Sequence, residues 1–331
     1  MRISKILQNQ DSFSTDEYRR HATPLVVVLE NSKIFRWVKS WRRNGFFSGL
    51  LMYLFAPGFD VVVTVGHRPA MVFGLLNRLF PRKNIKHVAK EFFFEDKGLQ
   101  GWKPVQNILA AFYRYSIKNV DAIIVNASGE IKPYAHSLGL SESQFRFIPW
   151  PSNINEPIHI PENDNSILAV GRSLRDWNTF FQAVEGLDRR CVVVASKRDI
   201  QELRVPANVE LHLDIGRDTY LELLKKAMLV VIPLVETKRS TGQASFLEAM
   251  AFGKPVIVAD VVGATDYIID GLNGITYFSG VSADLSNKIS GLIGNTDLRN
   301  RIAGQGLLSV LHKFNKKSYA QTFLRTIADL P

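Results

Sequence analysis

Cysteine is nearly absent from this sequence: Cys191 is the single one among 331 residues. One thiol excludes an intramolecular disulfide, and its place in the apolar run CVVVA predicts a core residue rather than a nucleophile. No run of about 18 apolar residues occurs, so we expect no transmembrane helix. The polar first twenty residues do not resemble a secretory signal. Histidines and cysteines do not cluster at the spacing of metal ligands, which predicts a protein that holds no metal.

Acidic residues are scarce in the first half of the chain. The net charge is +10, and residues 1–160 carry most of the excess, with 21 Lys and Arg against 12 Asp and Glu. Residues 161–331 are almost balanced, with 20 against 19. This uneven charge predicts an anionic partner for the first half, which is a membrane surface, a nucleic acid or an acidic acceptor.

No acid occurs between Glu30 and Asp60, and residues 33–55 are rich in cations and aromatic rings. The cations flank an apolar stripe at helical spacing, which is typical of a helix lying on an anionic bilayer. The residues predicted to contact the membrane are Lys33, Arg36, Trp37, Lys39, Trp41, Arg42 and Arg43. The competing interpretation is an amphipathic core helix with a solvated basic face. Nucleic acid is not expected, because no recognised binding motif accompanies the patch. We therefore expect a cytoplasmic protein, bound peripherally at the cytoplasmic face of the membrane.

Apolar strands alternate with helical patterns along the chain, and this alternation restarts in the second half. It predicts an α/β protein with two parallel sheets, divided into residues 1–155 and residues 156–331, with the last helix packing back on the first domain. Residues 1–23 are polar and are expected to be partly disordered. The run LVVVL at 25–29 is predicted to be the first buried strand.

One stretch, residues 236–274, organises the second half. A polar loop at 238–242 leads into a helical pattern at 243–252, and Gly253-Lys254-Pro255 ends that pattern before the apolar strand 256–259. A glycine-bearing loop that opens a helix between two strands is suited to hold a phosphate, since free N–H groups and the helix dipole both favour an anion. On pattern alone, an ordinary βαβ unit explains the stretch equally well.

The residue identities of this stretch are more specific than its pattern. The segment LEAMAFGKPVIVAD, followed by DGLNG, resembles the donor-binding segment of the retaining group 1 glycosyltransferases (glycosyltransferase family four and its relatives). The resemblance implies the GT-B fold, in which two Rossmann-like domains face each other across a cleft. In that family an E-x7-E motif ends at a glutamate that grips the nucleotide ribose, which corresponds to Glu248. The first glutamate of the motif falls on Ser240, so the usual contact to the donor sugar is altered.

The segment GRSLRDW at 171–177 resembles the family's phosphate motif, in which a strand ends in Gly-Arg and a later cation completes the clamp. Arg172 matches the first cation and Arg175 is a candidate for the second, since a guanidinium offers phosphate a bidentate fork. For Arg175 a solvated surface residue is an equal alternative. The predicted donor-binding residues are Gly171, Arg172, Arg175, Lys197, Ser240, Thr241, Gly242, Gln243 and Glu248.

Acids and a histidine follow strands of the first half, where an acceptor is expected. His67, Glu95 and Asp96 are predicted on the acceptor side, and the predicted catalytic residues are Glu91, Arg172 and Glu248. The alternative for each acceptor-side residue is a solvated loop charge or a turn histidine.

The resemblance implies a hexosyltransferase-type enzyme that moves a sugar from a UDP- or GDP-type donor to a lipid-linked or polysaccharide acceptor. It further implies retention of anomeric configuration and catalysis with neither metal nor cofactor. The alternatives are an inverting GT-B transferase and an inactive GT-B-like module that binds a glycan or acts as a scaffold. The missing first glutamate is the sequence feature that supports the inactive module.

Overall fold

The computed structural model describes residues 5–8, 18, 20–24, 44–82, 84–91, 103–161 and 164–330. The chain divides into two compact units. Unit 1 comprises Met1–Ile148 with Tyr319–Pro331, and unit 2 comprises Pro149–Ser318. The basic and aromatic residues of 33–43, the run at 25–29, and Glu95 and Asp96 lie outside the described residues.

Unit 1 is built on a six-stranded sheet with the order β2-β1-β3-β4-β5-β6, in which all neighbours are parallel. Its strands are β1 (Ile6–Gln8), β2 (Ala22–Pro24), β3 (Val61–Val65), β4 (Lys86–Lys90), β5 (Ala122–Val125) and β6 (Phe145–Phe147). Residues 1–23 were expected to be partly disordered, and part of this range forms β1, in which Ile6 and Leu7 are fully buried between β2 and β3.

Helices cover both faces of this sheet. The helices of unit 1 are α1 (Gly45–Phe55), α2 (His67–Leu79), α3 (Lys103–Ile117) and α4 (Ile131–Leu138). On one face Leu7 and Val62 pack with α1 and α2, and Ala89 and Ile123 pack with α2, α3 and α4. The alternate residues of the same strands pack with the helix Lys316–Ala328 near the C-terminus. The β-branched runs VVVTV and AIIV suit strands that are buried on both faces.

His87 is buried in the middle of unit 1, where its Nε2 lies 2.9 Å from Thr64 Oγ1. Burial lowers its pKa from 6.5 to about 3. Between about pH 3 and pH 6.5, His87 therefore binds a proton in the unfolded chain but not in the folded chain. We expect unit 1 to lose up to about 1.4 kcal/mol of unfolding free energy per pH unit as the pH falls from 6.5. Urea unfolding at pH 7, 6, 5 and 4 measures the slope. The slope should become shallower in His87→Gln and stay unchanged in His136→Gln, whose side chain is exposed on α4.

Unit 2 contains a second six-stranded parallel sheet, with the order β12-β11-β10-β7-β8-β9. Its strands are β7 (Ile167–Gly171), β8 (Cys191–Ala195), β9 (Val209–Leu213), β10 (Leu229–Ile232), β11 (Val256–Ala259) and β12 (Ile275–Tyr277). Cys191 is buried and unoxidised, and burial raises the pKa of its thiol to about 12, which fits a core residue. Two sheets of parallel strands confirm the predicted α/β fold class.

The helices of unit 2 surround this sheet. They are α5 (Trp177–Val184), α6 (Lys197–Ile200), α7 (Arg217–Lys226), α8 (Gln243–Ala251), α9 (Ser282–Gly294) and α10 (Thr296–His312), and α11 (Lys316–Ala328) begins in unit 2 and continues in unit 1. The predicted helix at 243–252 is α8, and the predicted strand at 256–259 is β11. Within the described residues, no helix is both long and apolar enough to cross a bilayer.

Candidate functional site

A cavity of about 380 Å³ opens in unit 2 where β7 and β8 end and where α7 and α8 begin. Ligands of parallel α/β sheets bind at the carboxyl ends of strands, so the cavity lies where such a protein holds its ligand. The residues that line it are Asn153, Val170, Gly171, Arg172, Val194, Arg217, Tyr220, Ala244, Ser245 and Glu248.

Glu248 is the carboxylate of the cavity. It lies on α8 among apolar residues and is only 3% exposed. Arg217 NH2 is 3.0 Å from Glu248 Oε1, and Asn153 Nδ2 donates to the same oxygen at 3.4 Å. A buried carboxylate requires a cation or several donors to remain charged. Arg217, half-exposed at the start of α7, provides that cation on the solvent side of the site.

Tyr220 lies one turn after Arg217 on α7 and also lines the cavity. Its hydroxyl is buried beside the carboxylate of Glu248, although the two groups do not reach the geometry of a standard hydrogen bond. Burial, followed by the neighbouring carboxylate of Glu248, raises the pKa of Tyr220 well above 10. The phenol is therefore protonated at any physiological pH. The hydroxyl and the carboxylate together form a polar pair that a ligand entering the cavity can bind.

Arg172 follows directly after β7, as the sequence predicts. Its side chain is exposed at the cavity, and its NH2 donates to the carbonyl of Ile215, just beyond β9, at 2.8 Å. The guanidinium therefore extends across the ends of β7, β8 and β9. A single backbone hydrogen bond leaves most of its five donors for an anion.

Arg175 folds back over Gly171 rather than into solvent. It donates to the carbonyls of Val170 at 2.9 Å and Ser173 at 2.7 Å, and to Ser245 Oγ at 3.3 Å. A Cβ on Gly171 would lie 1.9 Å from Arg175 Nε, so glycine is what lets the guanidinium lie there. Burial lowers the pKa of Arg175 to about 10, which keeps it charged at neutral pH. Arg175 therefore places a partly buried positive charge beside the first turn of α8.

The N-terminus of α8 contributes a second positive element. Its N-cap is Gly242, with φ +89° and no side-chain capping bond, and Ala244 and Ser245 of the first turn line the cavity. Uncapped N–H groups and the helix dipole favour an anion at this end. The predicted polar loop therefore leads to the cavity through the first turn of α8, the helix that it opens.

Four predicted donor residues lie away from the cavity lining. Ser240 is 5% exposed and packs on the loop after β11, and Gln243 Nε2 donates to the carbonyl of Gly263 at 3.5 Å. Thr241 lies between them in the same loop. Lys197 is exposed at the start of α6, where its N–H donates to Asp214 Oδ2 at 3.2 Å. None of these side chains touches the space that Glu248 and Arg172 border.

The carboxyl edge of the sheet of unit 1 carries His67 and Glu91. They follow the adjacent strands β3 and β4, in which Val65 pairs with Lys90. Glu91 has φ +51°, and burial raises its pKa while Lys90 opposes that rise. Burial and then Arg68 lower the pKa of His67. Two candidate acceptor-side residues thus lie on neighbouring strand ends.

Sequence reasoning missed Asn153, Arg217, Tyr220, Ser245 and Lys90. Arg217 and Tyr220 are three residues apart directly after Gly216, where a helix follows a strand, and this spacing was the available signal. Lys90 is 2% exposed with its Nζ 4.9 Å from the ring of Tyr319 and 5.4 Å from that of Phe323. Burial lowers the pKa of Lys90 to about 8.

Within the described residues, no three His, Cys, Asp or Glu side chains gather closely enough to hold a metal ion. The cations and the helix end described above are the positive groups at the cavity.

Comparison with known proteins shows what this unit is similar to. Residues 152–307 match the family model described as glycosyl transferases group 1, and that range contains every residue that lines the cavity. Over this range unit 2 therefore matches the group 1 glycosyltransferases. Glu248 and Arg172, the two residues that the resemblance singled out, both lie within the matched range.

Two curated proteins are similar to the chain over half or more of its length. The chain is 27% identical over 216 residues to an uncharacterised glycosyltransferase of Methanocaldococcus jannaschii, covering 62% of this chain and 58% of the relative. It is 27% identical over 182 residues to the capsular polysaccharide biosynthesis glycosyltransferase CapM of Staphylococcus aureus, covering 50% and 47%. The chain thus spans about half the length of these two relatives.

A third relative is matched over more of its length. It is the N,N'-diacetylbacillosaminyl-diphospho-undecaprenol alpha-1,3-N-acetylgalactosaminyltransferase of Campylobacter jejuni, which is 24% identical over 293 residues, covering 80% of this chain and 76% of the relative.

Solved structures with the GT-B fold resemble the chain. The Anabaena HepE protein in complex with UDP-glucose gives a TM-score of 0.69 at 15% identity and covers 99% of this chain and 100% of that one. Sucrose-phosphate synthase of Thermosynechococcus elongatus gives 0.67 at 18% identity, covering 87% and 79%. At these identities the likeness shows the fold alone, and it confirms the GT-B class that accompanies the group 1 domain.

Proposed function

We propose that the chain is a hexosyltransferase that moves a sugar from a nucleoside diphosphate donor to a hydroxyl group of a glycan or lipid-linked acceptor. The observation that carries this proposal is the buried Glu248 of the group 1 domain, which lines one cavity together with Arg172, Arg217 and Tyr220. A carboxylate next to cations suits a ligand that combines neutral hydroxyls with phosphates.

The ribose of the donor is placed against Glu248 and Tyr220. Glu248 accepts from a ribose hydroxyl, and the Tyr220 hydroxyl, which lies beside Glu248, donates to the same diol. Arg217 pairs with Glu248 and stands at the solvent side of the site. Charge-assisted bonds of this kind contribute about 1.5–3 kcal/mol each.

The diphosphate is placed between Arg172, Arg175 and the N-terminus of α8. Arg175 touches Ser245 of the first helical turn, so its charge adds to the helix dipole at the point where a phosphate would lie. Arg172 reaches from the exposed side and supplies the bidentate fork. These groups stabilise the leaving diphosphate when the bond to the anomeric carbon breaks.

The base is placed beyond β9, near the carbonyl of Ile215, and UDP is the first nucleotide to test. The HepE structure that shares the fold contains UDP-glucose, which supports this choice. GDP is the other type expected from the sequence. Five further residues stay predicted contacts to the bound donor. They are Lys197 and the loop residues Ser240, Thr241, Gly242 and Gln243.

Retention of configuration and independence from metal are parts of the proposal. The anomeric carbon exchanges its bond to the phosphate oxygen for a bond to the acceptor oxygen, and the acceptor proton passes to the leaving phosphate. The cations of the cavity then supply the charge stabilisation that a metal supplies elsewhere. An inverting transferase is the alternative, and NMR of the product anomer separates the two.

The acceptor is placed on unit 1, at the strand ends that carry His67 and Glu91. Glu91 is proposed to contact an acceptor hydroxyl, and Glu95 and Asp96 stay predictions for the same side. The Campylobacter relative is named for a diphospho-undecaprenol acceptor and CapM for capsular polysaccharide, which supports a lipid-linked or glycan acceptor. The basic stretch at 33–43 is proposed to bring the chain to the cytoplasmic face of an anionic membrane.

Calorimetry tests the donor site directly. The full chain is titrated with UDP, GDP and ADP and then with the corresponding nucleotide sugars. Each titration is repeated with a chelator, which tests whether binding needs a metal ion. We expect one nucleoside diphosphate to bind with a dissociation constant in the micromolar range and to raise the melting temperature by mass action. Absence of binding to all three nucleotides contradicts the proposal.

An inactive GT-B-like module is the second candidate, and Ser240 in place of the first glutamate is what favours it. A transferase releases nucleoside diphosphate from its sugar donor when acceptor is present. Nucleotide binding without any turnover, across a panel of lipid-linked and glycan acceptors, would favour the inactive module.

The Tyr220 hydroxyl gives a finer prediction. Tyr220→Phe removes one hydrogen bond to the ribose and leaves the ring, so we expect nucleotide binding to weaken about fivefold. The same variant should lose most of its preference for UDP over 2′- or 3′-deoxy-UDP, measured by calorimetry. Tyr115→Phe, on an exposed ring of unit 1, is the matched control and should change neither quantity. Unchanged discrimination in Tyr220→Phe would remove this residue from the ribose site.

A further inference from the structure

The outer side of unit 1 carries apolar side chains in two helical stripes. Phe46, Phe47, Leu50 and Leu54 of α1 are each 39–48% exposed, although they lie on one side of a well-packed helix. Ile108, Phe112 and Tyr115 lie at i, i+4, i+7 spacing on α3 and are 40–69% exposed. Exposed apolar residues in rows, rather than scattered singly, indicate a surface that contacts something apolar.

These two stripes belong to one layer. α1 packs against α2, α2 packs against α3, and the three helices cover the face of the sheet that carries Leu7, Val62 and Ala89. The buried side of α1, with Leu51 and Met52, turns toward that sheet. The exposed stripes are therefore the outward side of a helical layer, which we call the α1–α3 face.

The charge of this layer has one sign. The sequences of α1, α2 and α3 contain no Asp or Glu, and Asp60 is the only acid between residues 44 and 90. Arg68, Arg78 and Arg82 all come from α2 or the turn that follows it. A soluble surface normally mixes both signs, so the exclusion of acids from three successive helices indicates an anionic counterpart.

The arginines are held against aromatic rings of the flanking helices. Arg68 Cζ lies 5.6 Å from the ring centroid of Phe46, and Arg78 Cζ lies 3.9 Å from that of Tyr115. Arg82 Cζ lies 4.3 Å from the ring centroid of Tyr53 on α1. Stacking fixes the guanidiniums beside the apolar stripes, which reduces the side-chain entropy lost when they bind an anion.

We infer that the α1–α3 face docks on an anionic lipid bilayer, with the two stripes entering the headgroup–acyl boundary and the arginines of α2 binding lipid phosphates. Apolar burial together with phosphate attraction is the combination by which amphipathic helices bind such surfaces. The residues of this face follow Asn44, the N-cap of α1, whereas the basic stretch at 33–43 precedes it in the sequence. A nucleic acid accounts for the arginines but not for the leucine and isoleucine stripes.

Vesicle co-sedimentation of the full chain tests the inference. The vesicles are pure phosphatidylcholine, or phosphatidylcholine with about 30% phosphatidylglycerol. The first variant combines Leu50→Glu with Leu54→Glu on α1, and the second is Ile108→Glu on α3. We expect each to bind the anionic vesicles at least about tenfold less than the parent chain, because a carboxylate enters the apolar boundary and repels the headgroups.

The matched control is the pair Leu308→Glu and Leu311→Glu on α10 of unit 2. These leucines are 45% and 41% exposed, close to the values of Leu50 and Leu54, and lie on a helix whose composition mixes both charges. The control adds the same charge to the chain and should bind vesicles as the parent does. Arg68→Gln with Arg78→Gln should lower binding to anionic vesicles while leaving the weak binding to neutral ones unchanged.

Three outcomes overturn the inference. One is that the α1 and α3 variants bind anionic vesicles as strongly as the parent chain does. This includes the case in which vesicle binding is lost only when Arg36, Lys39, Arg42 and Arg43 are neutralised. Another is equal loss in the α10 control. The third is a concentration-dependent dimer of the parent, seen by sedimentation velocity, that the α1 variant loses, since a second copy would then cover the face. Nucleotide binding in solution reports on unit 2 separately, so failure here is distinguishable from failure of the proposed function.

Discussion

Glu248→Gln is expected to weaken nucleoside diphosphate binding about 100-fold and to reduce turnover by at least that factor. Glutamine keeps the volume of the side chain but replaces the charged acceptor that is proposed to bind the ribose. Two charge-assisted hydrogen bonds become neutral ones, and Arg217 loses its ion partner at 3.0 Å. Arg217 is half-exposed and can be solvated, so unit 2 should keep its fold.

Calorimetry with UDP and release of nucleotide from the sugar donor measure the effect. Glu222→Gln is the matched control, since Glu222 is a carboxylate of α7 whose side chain is 60% exposed and pairs with Lys225. The control should bind and turn over as the parent does. Equal affinities for Glu248→Gln and the parent would show that this carboxylate does not hold the nucleotide.

Gly74→Ala is expected to destabilise unit 1 by about 3 kcal/mol. A Cβ at this position of α2 would lie 2.3 Å from the backbone carbonyl oxygen of Ser116 on α3, and neither helix backbone can yield at small cost. The two helices must separate, which opens the packing between them. Denaturant unfolding followed by circular dichroism measures the change in the transition of unit 1.

Gly304→Ala is the control, and it is expected to raise the free energy of unfolding rather than lower it. Gly304 lies inside α10, and a Cβ there would meet no atom within 4 Å. Alanine has the higher helix propensity, so this variant should gain about 0.5–1 kcal/mol. If both variants shift stability in the same direction, close contact between α2 and α3 is not what determines the residue at 74.

The order of elements in unit 2 follows from the sequence because its signals are local. The run ILAVG, the glycine before α8 and the Gly-Lys-Pro after it mark their own boundaries. Arg172 follows from such a boundary, since the carboxyl ends of parallel strands gather at one edge. Glu248 lies inside α8, and it was the family resemblance rather than the pattern of strands and helices that singled it out.

Other features depend on contacts that no local pattern records. Arg217 lies 31 residues before Glu248, and their ion pair exists because α7 and α8 begin at the same edge of the sheet. For Arg175 the sequence left two interpretations, a solvated surface residue and a phosphate-binding cation. Its hydrogen bonds to the carbonyls of Val170 and Ser173 depend on the close approach that Gly171 permits. β1 is only three residues long, and parallel pairing with distant strands, rather than its own composition, makes it a strand.

The packing around Ser240 limits how this domain can be re-engineered. A Cβ on Gly263, whose φ is +100°, would lie 2.6 Å from the Cβ of Ser240, so the two backbones run in close contact. A longer acidic side chain at 240 has no room to grow on that side unless the loop after β11 shifts. Restoring the first glutamate of the motif is therefore a change of two segments rather than of one residue. Efforts to alter sugar selectivity have a better starting point at Thr241, which is half-buried in the same loop.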